Sequence, residues 1–193
     1  MKKNKKLFIL VALFLAVFAV GGTLAYLTDT SDELTNTFTF GKVEIELKED
    51  SWKAADATNL NPGKVLPKDP TVTVKSGSKD AYVFMEVEMP AQVNNKDVVT
   101  LGAIDSGWKA ISTNGNKTVY AYGSESSMTK VAAEASTSAL FSQVTVNGNL
   151  KDADITAIGN DGVKIKVKAY AIQADDLAET TPAAIWAALQ SNL

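Results

Sequence analysis

Hydrophobic positions along this chain fall into runs of three kinds, and each kind predicts a different element. The first is continuous. A basic cluster (Lys2, Lys3, Lys5, Lys6) precedes an uncharged stretch over residues 7–28, whose strongly apolar part ends at Val20. The second alternates: Phe38 and Phe40 set a period of two that slips at Gly41 and resumes with Val43, Ile45 and Leu47 against Glu44, Glu46 and Lys48. Period two with charge on one side predicts a strand half buried on a core. The slip at Gly41 predicts a bulge, where glycine tolerates the backbone required.

Further strands are predicted by the same reading at residues 71–75, 81–89, 118–122 and 140–146, and around Trp108 and Ile111. The longest run sets Val163, Ile165, Val167, Ala169 and Ala171 opposite Lys164, Lys166, Lys168, Tyr170 and Ile172. Three lysines in succession on one face predict that this face meets water, and lysine on a strand discourages unwanted edge pairing. Turn residues separate the strands: Asn59-Leu60-Asn61-Pro62-Gly63, continued by a loop over 67–70, then Ser76-Gly77-Ser78, a polar loop at 94–97, and Asn114-Gly115. The Ser, Ala and Thr rich segment 124–138 reads as a crossing loop with a short edge strand at 129–132. The third kind of run is helical, with Ile185, Trp186 and Leu189 striping a short helix behind Thr181 and Pro182. Seven or more short strands with one C-terminal helix predict an all-β fold, an antiparallel β-sandwich.

The N-terminal run has the parts of an export signal: a positive start, an apolar middle and small residues at its end. Thr23 and Ala25 place small side chains where a signal peptidase needs them, which sets cleavage after Ala25, with cleavage after Tyr26 as the competitor. A retained anchor is the alternative, since roughly 20 apolar residues cross a bilayer. The chain then divides into a signal at 1–25, a polar arm at 26–35 and a sandwich domain at 36–193. The arm holds only Leu27 and Leu34 as apolar residues and cannot bury enough surface to fold alone. Leu27, Leu34 and the following Phe38 are its candidate apolar pegs.

Composition narrows the chemistry. The 193 residues include no Cys and no His, and every one of the 19 basic residues is lysine. Loss of the four signal lysines takes the net charge from -3 to about -7, from 15 Lys against 22 Asp plus Glu. An acidic chain without arginine is a poor ligand for nucleic acid. Without His or Cys there is no Ser-His-Asp triad, no thiol nucleophile and no H-E-x-x-H zinc helix. The pairs Glu44 with Glu46 and Glu86 with Glu88 read as solvated strand faces. Asp152-x-Asp154 begins like a calcium loop, but Ala157 stands where glycine is needed and no Glu follows at the twelfth position; a looser site would use Asp152, Asp154 and Asp161. Trp52, Trp108, Tyr120, Tyr122 and Tyr170 are candidates for a glycan-binding patch, against core packing as the ordinary role of strand aromatics. No catalytic, cofactor or metal site is expected.

Several segments together resemble the TasA/camelysin family of exported Gram-positive proteins. They are the lysine-rich start, Gly21-Gly22-Thr23-Leu24-Ala25-Tyr26-Leu27-Thr28-Asp29, Asn36-Thr37-Phe38-Thr39-Phe40-Gly41-Lys42-Val43, Asn59-Leu60-Asn61-Pro62-Gly63, the 139–146 strand and the 169–175 ending. The resemblance implies processing by an ER-type signal peptidase and a jelly-roll sandwich. It also implies assembly into biofilm-matrix fibres in which the freed arm of one subunit adds as a strand to the next. Expected partners are copies of the chain or a paralogous matrix protein, with the export machinery during secretion and an extracellular or cell-surface destination. Part of the family is described as metalloproteases, and the absence of histidine departs from that. A cell-surface adhesin or anchor protein of the matrix is the alternative.

Overall fold

The computed structural model describes residues 41–160 and 162–191. The chain divides into two compact units, Met1–Thr39 and Phe40–Leu193; the described residues belong to the second. They form nine strands: β1 (Ile45–Lys48), β2 (Val65–Pro67), β3 (Thr71–Val74), β4 (Ala81–Glu88), β5 (Val99–Leu101), β6 (Trp108–Asn114), β7 (Lys117–Tyr122), β8 (Gln143–Val146) and β9 (Lys166–Gln173). Two helices, α1 (Asp152–Ile158) and α2 (Pro182–Gln190), and a 3-10 turn at Ala54–Ala57 complete the set. The strands make three sheets, ordered β1-β3, β2-β8-β5 and β6-β7-β4-β9, with every pairing antiparallel. The all-β reading of the sequence therefore holds.

Alternation in β4 explains the layering. Val83, Met85 and Val87 face inward and are fully covered, packing with Val72, Val74, Leu66, Val144, Leu140, Phe141 and Trp108 in the main core. The Trp108 ring lies 5.0 Å from that of Tyr122, and its Nε1 donates to the Ser138 carbonyl at 3.0 Å, so its one polar atom is satisfied inside. Phe84, on the opposite face of β4, is equally buried because α2 lies over that half of the sheet. Pro182 starts α2, and the Thr181 hydroxyl accepts from the Ala184 amide. Ile185, Trp186 and Leu189 then turn onto Phe84, Val119 and Ala121. Trp186 packs 5.2 Å from Phe84 and 5.1 Å from Tyr170; such ring pairs add about 0.5–1.5 kcal/mol beyond their buried area. The outer face of the large sheet is thus half capped by α2 and half open.

Several expectations need correction. Pro67 lies in β2, not in a loop; β2 is the edge of its sheet, where proline costs no ladder bond. The Pro62-Gly63 turn does form, with Gly63 at φ +82 and the Lys64 amide donating to the Asn61 carbonyl at 3.1 Å. No strand forms at 129–132; Val131 alone exchanges two backbone bonds with Ala81. At Gly41 there is no bulge, since the ladder with β3 starts only at Ile45, and the Lys79 side chain occupies the space a Cβ would take. Residues 152–158, where the sequence pattern gave no element, form α1. Phe38 and Phe40 lie outside the described residues.

Candidate functional site

β9 is the outer strand of the four-stranded sheet. It pairs with β4 along one edge, and among the described residues no strand pairs with its other edge. β1 lies beside that edge without bonding to it. Between the two runs a trough of about 470 Å³, floored by Leu47, Ile165 and Val167 and rimmed by Lys48, Glu49, Lys68 and Lys166. Lys68 is buried in its wall, 2.6 Å from Glu49 and 4.9 Å from the Trp52 ring centre. A strand edge that no described strand pairs, beside apolar side chains such as Leu47, Ile165 and Val167, is an arrangement that can accept an additional strand.

The open half of the outer face is charged. Lys164, two residues ahead of β9, and Lys166 and Lys168 within it are all exposed. Lys166 sits 2.9 Å from Glu88, and Lys117 of β7 lies 3.4 Å from Glu88 and 3.6 Å from Glu86. Hydrogen bonding to Lys166 holds the Glu88 carboxyl below the usual carboxylate range, and Glu88, followed by Glu86, pushes Lys117 upward. The paired glutamates of β4 are thus lysine partners on a solvated face. Among the described residues neither Lys164 nor Lys168 has a carboxylate within ion-pair distance; Lys168 instead stands 4.7 Å over the Tyr170 ring.

A second feature lies past the far end of β4. α1 covers a small cluster of Val98, Val99, Val146 and Leu150. It leaves a cleft of about 570 Å³ lined mainly by Leu60, Val99, Leu150, Ile155, Ile158 and Val163. Asp154 anchors the helix. The residue is 3% exposed, and its carboxylate accepts from Lys96 at 2.5 Å, from Asn94 at 2.8 Å and from the Lys151 amide at 2.9 Å.

The sequence-predicted site residues fare differently. Thr23, Ala25, Tyr26, Leu27, Leu34 and Phe38 lie outside the described residues. Of the looser calcium site, Asp161 lies outside the described residues, Asp154 is turned inward with its oxygens committed to Lys96, Asn94 and Lys151, and Asp152 is exposed at the start of α1. The aromatic candidates do not form one patch. Trp108 and Tyr122 pack in the main core, Tyr170 packs under Trp186, and Trp52 packs with Lys68 beside the trough. Sequence reasoning missed the trough. The signal for it was the exceptional length of the β9 alternation, but only pairing shows which edge of a strand is left unbonded.

A family model, camelysin metallo-endopeptidase, matches residues 1–106. That match runs from residue 1 through β5 to near the end of the loop before β6. No curated protein matches the chain, and no solved structure does. The family's description implies a metal centre, and the donors present do not suit zinc. Zinc takes its ligands from His, Cys and carboxylates, and this chain has neither His nor Cys. Among the described residues no three carboxylates converge.

Proposed function

The chain belongs to the camelysin metallo-endopeptidase family, and from that premise we propose that it is an exported, non-enzymatic structural subunit. It polymerises head to tail into extracellular matrix fibres, each copy donating its N-terminal arm, residues 27–35, as a strand to the next. The observation that carries this reading is the outer edge of β9, which no described strand pairs, running beside a trough lined by Leu47, Ile165 and Val167 among charged side chains. Main-chain bonding to such an edge supplies affinity without a special sequence. Head-to-tail addition that does not close yields filaments instead of dimers. Removal of the signal after Ala25 or Tyr26 is the switch, since the arm is tethered until that bond is cut. In this reading the missing zinc donors reflect a member that serves as scaffold and not as peptidase.

Electron microscopy of the exported, processed protein incubated alone tests the proposal, and fibres are the expected result. Deleting residues 27–35 should leave a folded monomer. Fibres of normal morphology from the truncated protein would overturn the arm mechanism. Mass spectrometry of the exported protein should show an N-terminus at residue 26 or 27, whereas an intact Met1 would remove the switch.

A further inference from the structure

The trough accepts a strand of any sequence through its backbone edge, but the side chains around it are not neutral. Burial alternates through the segment leading into β9 and on into the strand: Ile165 and Val167 are half-buried and line the trough, whereas Lys164, Lys166 and Lys168 are exposed. A strand added along the edge alternates in step, sending every second side chain to the trough and the others beside the lysine row. Of the three lysines, the middle one already has a carboxylate, Glu88 at 2.9 Å. The two outer ones, Lys164 and Lys168, have none among the described residues.

One face of the arm has a pattern complementary to the lysines. Residues 28–34 read Thr-Asp-Thr-Ser-Asp-Glu-Leu. In an extended conformation Asp29, Ser31 and Glu33 share one face, and Leu34 falls on the other. The spacing from Asp29 to Glu33 equals that from Lys164 to Lys168. One register therefore sets the two acids opposite the two lysines without carboxylates and sets Ser31 opposite the lysine that Glu88 already neutralises. In the same register Thr30, Asp32 and Leu34 go to the trough side, with Leu34 opposite Val163 or Ala169 and Asp32 on the side that Lys48 and Lys68 also line.

Resting on the proposed arm-donating assembly, we infer that Lys164 and Lys168 are its specificity determinants: they select an acidic strand, residues 28–34 of a second copy, through Asp29 and Glu33. Charge pairs across an interface fix register and reject wrong partners more than they add raw affinity. The acidic arm thus enters in one register, and a segment without the matching acids is disfavoured.

A charge swap tests this. Two variants of the exported, processed protein are compared by light scattering and electron microscopy: K164E/K168E, and D29K/E33K. Each by itself should need about tenfold more protein to assemble, because like charges then face each other across the interface. Mixed one to one, they should assemble near the original concentration, since each arm now meets an acceptor of opposite charge in the other variant. Unchanged circular dichroism and thermal midpoint for each variant exclude misfolding. Normal assembly of either variant alone overturns the inference, as does failure of the mixture to recover. Fibres from the protein lacking residues 27–35 would instead overturn the arm mechanism itself, so the two failures are distinguishable.

Discussion

Lys96 and Asp154 stand 58 residues apart in the chain and meet with Nζ 2.5 Å from Oδ2. This contact ties α1 to the tight turn between Val93 and Lys96, which closes with two mutual backbone bonds of 2.9 Å. The same carboxylate accepts from the Lys151 amide ahead of the helix. One side chain therefore both starts α1 and docks it.

Replacing Asp154 by Ala should loosen α1 and the apolar cleft beneath it. The substitution leaves the Asn94 amide, the Lys151 amide and the Lys96 ammonium without their acceptor, and unpaired partners cost more than a lost bond alone. Thermal unfolding should show a clear fall in Tm for Asp154→Ala, larger than that for Asp152→Ala, whose carboxylate is exposed. Equal effects from the two variants would show that the clasp does not hold the helix.

Acid should release the same clasp. The Lys96 hydrogen bond, followed by those of Asn94 and the Lys151 amide, holds Asp154 well below its ordinary value of 3.8. The unfolded chain therefore binds the proton more readily, and stability rises with pH across this window. The contribution is complete above about pH 4 and is lost as pH falls through the folded value. Urea midpoints measured between pH 6 and pH 2 should fall toward the acid end, and Asp154→Asn should flatten that fall.

Trp186→Ala should undock α2. The side chain is nearly buried and touches Phe84 and Tyr170 at once, and truncating a core aromatic of this size costs about 3–5 kcal/mol. Equilibrium urea unfolding should register that loss. If the near-ultraviolet circular dichroism of the variant kept its full intensity, α2 would not depend on this contact.

Gly123→Ala should also destabilise, for a backbone reason. Gly123 sits at φ +148, and an added Cβ would lie 2.4 Å from the Ser127 carbonyl oxygen and 2.8 Å from the Met128 Cα. Backbone atoms cannot swing aside as a flexible side chain can. A loss of more than about 1 kcal/mol is expected in the same unfolding assay, with the 124–128 turn displaced from the end of β7.

Much of this fold was legible in residue order. The alternations of β1, β4, β7 and β9, the Pro62-Gly63 turn, and α2 behind Thr181-Pro182 are local facts, because side-chain periodicity and turn stereochemistry act over a few residues. The elements that were missed are short. β5 spans three residues and gives no readable period, α1 has seven residues with polar positions spread through it, and β2 ends in a proline that reads as loop until it is seen to lie on an edge.

Other properties were decided only in three dimensions. Phe84 and Tyr170 share their sheet face with Glu88 and Lys166, and nothing in the alternation says that α2 covers the first pair and leaves the second to water. Asp154 reads as one more acidic residue until Lys96 arrives from another segment. That the described strands leave one edge of β9 unpaired has the same origin. Which side of a strand is bonded depends on the order of strands in the sheet, a long-range choice made by packing of the whole core, whereas the lysines and the apolar residues set along that edge were already determined by the sequence.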